Sequence, residues 1–139
     1  MGLGTANLVK ILQVIKENGT QGKSLCMIGK QDIHIRWDNM REIIHKYHFD
    51  FDQKVYEKIK DIYPIDSFQL FEMFGIAGGR VHAVDFSEYE NADIVFDLNE
   101  DLPEGMFEKY DYVINGGTLE HIFDAAKAMK NISGMVKPG

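Results

Sequence analysis

The sequence predicts an α/β fold, a mostly parallel sheet flanked by helices in three layers. Two observations carry this. Short apolar runs of strand character alternate with stretches whose apolar residues recur at three- and four-residue spacing, the order of parallel strands joined by right-handed crossovers. The later strand-like runs close on polar residues, Asp85, Asp97 and Asn115, and loops and ligands gather at such carboxyl ends of an open parallel sheet.

The elements follow in chain order. Leu8, Ile11, Leu12 and Ile15 share one face of a helix over Thr5–Asn18, with Thr5 as N-cap and Gly19 as stop. Ser24-Leu25-Cys26-Met27-Ile28 is a continuous apolar run, as expected of a first core strand covered on both faces. Ile33, Ile35 and Trp37 alternate with His34 and Arg36 in a brief extended piece. Two helices come next, one with Met40, Ile43, Ile44 and Tyr47 behind a cap at Asp38, the other with Val55, Ile59 and Ile62 behind Asp52. Pro64 breaks the chain, Asp66 caps a compact helix bearing Phe68, Leu70, Phe71 and Phe74, and Gly75 ends it. Strands are then expected at Val81–Asp85, 92–97 and 110–115. A last helix over 118–133 places Leu119, Ile122, Phe123, Ala126, Met129 and Ile132 on one face, and Gly134 closes it. Residues 86–92 are too few for an ordinary helical crossover, so either the crossover is abbreviated or the second and third strands pair differently. No repeat, linker or composition break interrupts this order, so 1–139 reads as a single domain.

Composition narrows the setting. The chain has 139 residues, 45% apolar and 27% charged, with a net charge of −7. A chain of this length buries roughly two-thirds of its unfolded surface, enough for a core without disulfides or a structural metal. Its one cysteine, Cys26, makes no internal disulfide and suits a reduced, intracellular setting. No apolar run reaches the roughly 20 residues that span a bilayer, and Met1-Gly2-Leu3-Gly4-Thr5 lacks a signal-peptide pattern. A cytoplasmic protein with no membrane partner is expected. Within 85–111 stand ten acidic residues and the single lysine Lys109, a local charge of −9 that leaves +2 for all the rest. Polyanion binding needs clustered Lys and Arg, so no direct nucleic-acid partner is expected, and most of the acidic stretch reads as a solvated face.

Four places carry candidate chemistry. Asp85, at a strand tip, is suited to accept hydrogen bonds from a ribose diol; equally, it is a strand-ending Asp held by local backbone N–H groups. Asp97 is suited to accept from an adenine amino group, or to form a turn. Gly116 and Gly117 let backbone approach a ligand closely at the start of the last helix, or serve as a tight turn before Thr118 and Glu120. His121 is a weak candidate base, since a first-turn histidine is more often a solvated polar group. Other motifs are set aside. Gly19-Thr20-Gln21-Gly22-Lys23-Ser24 lacks the leading glycine of a phosphate loop and precedes a strand, and His45 with His48 has no accompanying ligand cluster, so no metal site is expected.

Val81-His82-Ala83-Val84-Asp85, the run 92–99, the run 110–121 ending in Leu119-Glu120-His121, and Met135-Val136-Lys137-Pro138-Gly139 resemble consecutive motifs of class I S-adenosylmethionine-dependent methyltransferases. The resemblance covers 81–139 well and 24–29 and 66–75 loosely, with 30–65 as a helical insertion. It implies a Rossmann-like fold, S-adenosylmethionine as cofactor with S-adenosylhomocysteine as product, and a small-molecule or other methyl acceptor that the residues do not specify. By the same resemblance Asp85, with Phe86 beside it, binds the cofactor ribose, Asp97 and Leu98 lie near adenine, and the turn from Asn115 to Glu120, with Gly116, Gly117 and Thr118, flanks the methionine and methyl-transfer region. Gly29 and Lys30 stand where the family usually has a G-x-G-x-G loop beside the methionine; here the chain reads Gly29-Lys30-Gln31-Asp32. A dinucleotide fingerprint is not supported, because Gly29 and Asp85 are 56 positions apart instead of about 20.

In the family the Lys-Pro-Gly turn leads to a fifth strand and a hairpin that do not follow here, so the chain is expected to be the cofactor-binding portion of such a domain. With strands ordered third, second, first, fourth, Tyr112-Val113-Ile114 would lie on an open edge, and homo-oligomerisation through that edge is expected. The alternative is a non-catalytic scaffold that acts through self-association or a partner protein.

Overall fold

Along the chain the elements are α1 (Thr5–Asn18), β1 (Leu25–Ile28), β2 (Asp32–Ile33), α2 (Trp37–Tyr47), α3 (Gln53–Ile59), β3 (Ile65–Asp66), α4 (Ser67–Met73), β4 (Val81–Asp85), β5 (Ile94–Val95), β6 (Tyr112–Asn115) and α5 (Ala125–Met135). Single 3-10 turns lie at Gly78–Arg80, Glu104–Met106 and Leu119–His121. The computed structural model describes residues 3–88 and 91–139. Of the sequence features above, the first two residues and, in the short 86–92 connection, Tyr89 and Glu90 lie outside the described residues. No helix among those described is long and apolar enough to cross a membrane.

The fold is α/β and Rossmann-like, with a parallel four-strand sheet in the order β5-β4-β1-β6. Contacts group the chain into two units, one holding the residues up to Gly22 with Gln31–Gly79, the other Lys23–Lys30 with Arg80–Gly139. The sheet belongs to the second. β1 is central, with Leu25 to Ile28 in register with Val81 to Val84 on one side and with Tyr112 to Asn115 on the other. Its four residues are all buried, the pattern of a strand covered on both faces. β4 and β5 pair in parallel over Val84↔Ile94 and Asp85↔Val95, so the crossover between them is the abbreviated kind. Expected over 92–97, β5 shrinks to two residues because Asp93 is spent on the Ala83 N–H at 2.8 Å and Asp97 on a turn.

Cys26, Ile28 and Val84 face one side of the sheet and pack with Leu98, Leu102, Met106, Tyr110, Ala128 and Met135 into the core of this unit. α5 therefore lies on that face, but its start and its buried stripe differ from expectation. The chain after β6 makes only a 3-10 turn at Leu119–His121, then extends at Ile122, and α5 begins at Ala125 behind Asp124, whose carboxylate accepts the Lys127 N–H at 2.9 Å. Restarting the helix resets its phase, so Ala128, Asn131 and Met135 turn inward while Phe123 is 99% exposed and Met129 also faces solvent. Gly134 lies inside α5 and does not close it. The buried Asn131 is satisfied by donating Nδ2 to the oxygens of Leu98 and Glu100, at 3.0 and 2.8 Å. Past α5, Val136 bridges Tyr110 in parallel and the Lys137 N–H donates to Tyr110 O at 2.8 Å, which gives the run leading into β6 a neighbour.

In the first unit α1 has the expected bounds and buries Leu8, Val9, Leu12 and Ile15. Its cap position is Gly4, so Thr5 is the first helical residue and not the cap. Asp52 and Asp66 cap α3 and α4 as their positions suggest, accepting the N–H groups of Lys54 and Val55 and of Phe68. Asp38 instead lies within the first turn of α2, paired with Arg41, and Arg36 holds the cap position. Lys16 Nζ donates to the oxygens of Tyr47 and His48 at 3.1 Å, satisfying carbonyls that the end of α2 leaves open. Gly75 follows the Phe74 cap of α4 at φ +111°, where an added Cβ would stand 2.8 Å from Thr20 Oγ1, so both conformation and space require glycine. The segment 30–65 set apart as an insertion supplies β2, α2 and α3, and β2 pairs antiparallel with β3.

Candidate functional site

Parallel strands bring their carboxyl ends together, and a cleft of about 200 Å³ opens there in the second unit. Ile28 and Val84 contribute from the tips of β1 and β4, Asp85 and Phe86 from the end of β4 and the residue after it. The loop after β5 supplies Phe96, Asp97, Leu98 and Asn99, and the segment after β6 supplies Thr118, His121 and Ile122. Two acidic side chains and a histidine thus stand against apolar surface, and among the described residues no lysine or arginine lines the cleft.

Each polar group is held by its neighbourhood. Asp85 is half-buried, and its Oδ1 accepts the Phe86 N–H at 2.7 Å, while its main-chain oxygen accepts the Phe96 N–H at 2.8 Å. Asp85 is thus a strand-ending Asp held by local backbone, and its side chain also lines the cleft. Asp97 Oδ1 accepts Asn99 N at 2.9 Å and Asn99 Nδ2 at 2.8 Å, the side-chain-closed turn that aspartate favours. Asn99 Oδ1 in turn accepts the Asp124 N–H at 2.9 Å. Thr118 Oγ1 donates to Ile28 O at 2.8 Å. His121 is exposed, with Nε2 3.5 Å from Glu120 Oε1.

No protein-family model, curated protein or solved structure matches this chain.

Of the residues singled out in the sequence, the cleft gathers Asp85, Phe86, Asp97, Leu98 and His121. Gly29, Lys30, Asn115, Gly116 and Gly117 are not among its lining residues. Gly29 is buried at φ +77° and donates its N–H to Val84 O at 2.7 Å, which closes the end of β1 on β4, and Gly117 turns the chain at φ +101°. Asn99 and Thr118 line the cleft from within segments that the sequence motifs mark, while Phe96 and Ile122 are lining residues given no role in the sequence. Their signal was position alone, since each stands within a few residues of a strand's carboxyl end.

Behind the cleft, on the same face of β1, lies a buried polar cluster. Tyr110, 1% exposed, shares a hydrogen bond with His82 Nδ1 at 2.8 Å. Burial pushes the Cys26 thiol up to about 12, with its contact to the Tyr110 hydroxyl acting the other way. Burial, and then the neighbouring Cys26, raise the Tyr110 phenol above its ordinary value. Both groups are neutral at physiological pH, and Cys26 is a packing residue, not a nucleophile.

Proposed function

We propose that the second unit binds the nucleoside half of S-adenosylmethionine in this cleft, and that the chain is the cofactor-binding part of a methyltransferase. The observation that carries this reading is the setting of Asp85. A carboxylate has about four lone-pair sites. One is used by the Phe86 N–H at 2.7 Å, which orients the group and leaves acceptors for both hydroxyls of a vicinal diol. Ile28, Val84, Phe96, Leu98 and Ile122 add apolar surface for a heterocycle. The donor set fits a nucleoside, with acceptors for hydroxyl and amino hydrogens and no cation in the lining to favour a phosphate. At about 200 Å³ the cleft is smaller than the roughly 300–1,000 Å³ of sites that enclose drug-sized ligands, which suits one nucleoside better than a whole cofactor.

When bound, the cofactor supplies an electrophilic sulfonium methyl for in-line displacement, a reaction in which orientation provides much of the acceleration. The chain's own part is to hold and align. Asp85 fixes the ribose, the loop after β5 borders the base, and the Thr118–Ile28 bond fastens the segment after β6 that carries His121, the side chain available to accept a proton from the methyl acceptor.

Calorimetric titration with S-adenosylhomocysteine tests the reading. Saturable binding is expected, and Asp85→Ala should weaken it by about 10- to 100-fold, the worth of hydrogen bonds to a charged acceptor. A folded wild-type chain that gives no binding heat and no rise in melting temperature with the ligand would overturn it.

A further inference from the structure

We infer that Asn99 is a positioning residue that sets the base specificity of this cleft by fixing the Asp97 carboxylate as an acceptor for an exocyclic amino group. The inference rests on the nucleoside reading above. Asn99 uses both ends of its amide at once, one toward Asp97 and one toward α5. Its Nδ2 and its main-chain N–H both donate to Asp97 Oδ1, at 2.8 and 2.9 Å, while its Oδ1 accepts the N–H of Asp124, the cap of α5, at 2.9 Å. A rotation of the amide would break bonds on both sides. On either side of Asn99 the oxygens of Leu98 and Glu100 are held by Asn131 Nδ2, so α5 fastens the loop at three successive residues.

The chemical consequence follows from what an ionised carboxylate lacks. Asp97 has acceptors and no hydrogen to donate, and Asn99 locks one of its oxygens, leaving Oδ2 as the acceptor that is not bound to Asn99. A base that presents an amino group finds a partner there, whereas one that presents a carbonyl oxygen sets acceptor against acceptor. Discrimination of this kind comes from the unpaired group in the wrong complex. The cleft therefore selects adenine over hypoxanthine, and Asn99, which also lines the cleft, enforces the selection through Asp97.

Calorimetry with S-adenosylhomocysteine and S-inosylhomocysteine, on wild type and on Asn99→Asp, Asn99→Ala and Asp85→Ala, tests this. Wild type should prefer the adenosyl ligand by about tenfold or more. Asn99→Asp keeps an acceptor for the Asp124 N–H, loses the Nδ2 donor and sets a second carboxylate against Asp97, so the preference should fall toward unity in a variant whose melting transition shows that it still folds. Asp85→Ala should weaken both ligands alike and leave their ratio intact. If wild type binds both ligands equally, or if folded Asn99→Asp and Asn99→Ala keep the wild-type ratio, the role of Asn99 is overturned while the nucleoside reading stands. If folded wild type binds neither ligand, the nucleoside reading falls and takes this inference with it.

Discussion

Thr118 Oγ1 donates to the main-chain oxygen of Ile28 at 2.8 Å, joining the segment after β6 to the tip of β1 across 90 residues of sequence. The bond turns two lining segments of the cleft into one piece. Thr118→Val keeps the shape of the side chain and removes the donor, leaving Ile28 O without that partner. A loss of about 1 kcal/mol is expected, or roughly 3 °C in melting temperature for a domain of this size, read by circular dichroism. Thr118→Ser should restore most of it.

The neutral, buried pair Cys26 and Tyr110 makes stability fall at alkaline pH. Burial holds the Cys26 thiol up to about 12 in the folded chain, against an ordinary value of 9.0. Between those two pH values the native state keeps a proton that the unfolded state has lost, so unfolding becomes easier as pH rises through the window, and below it the effect vanishes. Tyr110, raised in the same direction, adds to the decline at still higher pH. Urea midpoints measured from pH 8 to 11 should drop, and Cys26→Ala should flatten the drop. At pH 8 the folded chain should resist thiol reagents that label it at once in urea.

Asp111 produces the opposite slope. Burial alone would raise its carboxyl, but the Ser24 N–H at 2.8 Å, Lys137 Nζ at 3.3 Å and the Ser24 hydroxyl at 3.1 Å outweigh that and hold it below the ordinary carboxylate value. The unfolded chain therefore takes up a proton first as pH falls. The stabilisation is complete above the ordinary aspartate range and is lost as pH drops through the depressed native value. Asp111→Ala should cost about 1–2 kcal/mol at pH 7 and flatten the acid limb of a stability curve measured between pH 7 and 3.

Much of this architecture was legible in the residues. The bounds of α1, the buried run of β1, the extent of β4 and the caps at Asp52 and Asp66 all follow from local chemistry, because each depends on apolar period or on one side chain meeting nearby N–H groups. The parallel sheet followed from strand and helix alternation, and its order β5-β4-β1-β6 is the one the methyltransferase resemblance led us to expect. The last helix was misread for a local reason. Leu119, Ile122, Phe123, Ala126 and Met129 keep helical spacing, yet Asp124 offers a competing cap, and Ala125 begins a new helix with its own phase.

By itself the sequence determined most of the element types, the apolar strand at the centre of the sheet and the carboxylates at strand tips, since these depend on neighbours within a few positions; β3 and the restart of α5 were not among them. Only the tertiary structure decided which of those tips share a cleft, placing Asp85, Asp97 and His121 together and leaving Asn115 and Gly116 out of its lining. It alone revealed Asn99 as the link between Asp97 and α5, and Thr118 as the tie to Ile28. The physical reason is range: hydrogen bonds that span 25 or 90 residues depend on where the sheet and α5 bring the chain back, and no local pattern encodes that return.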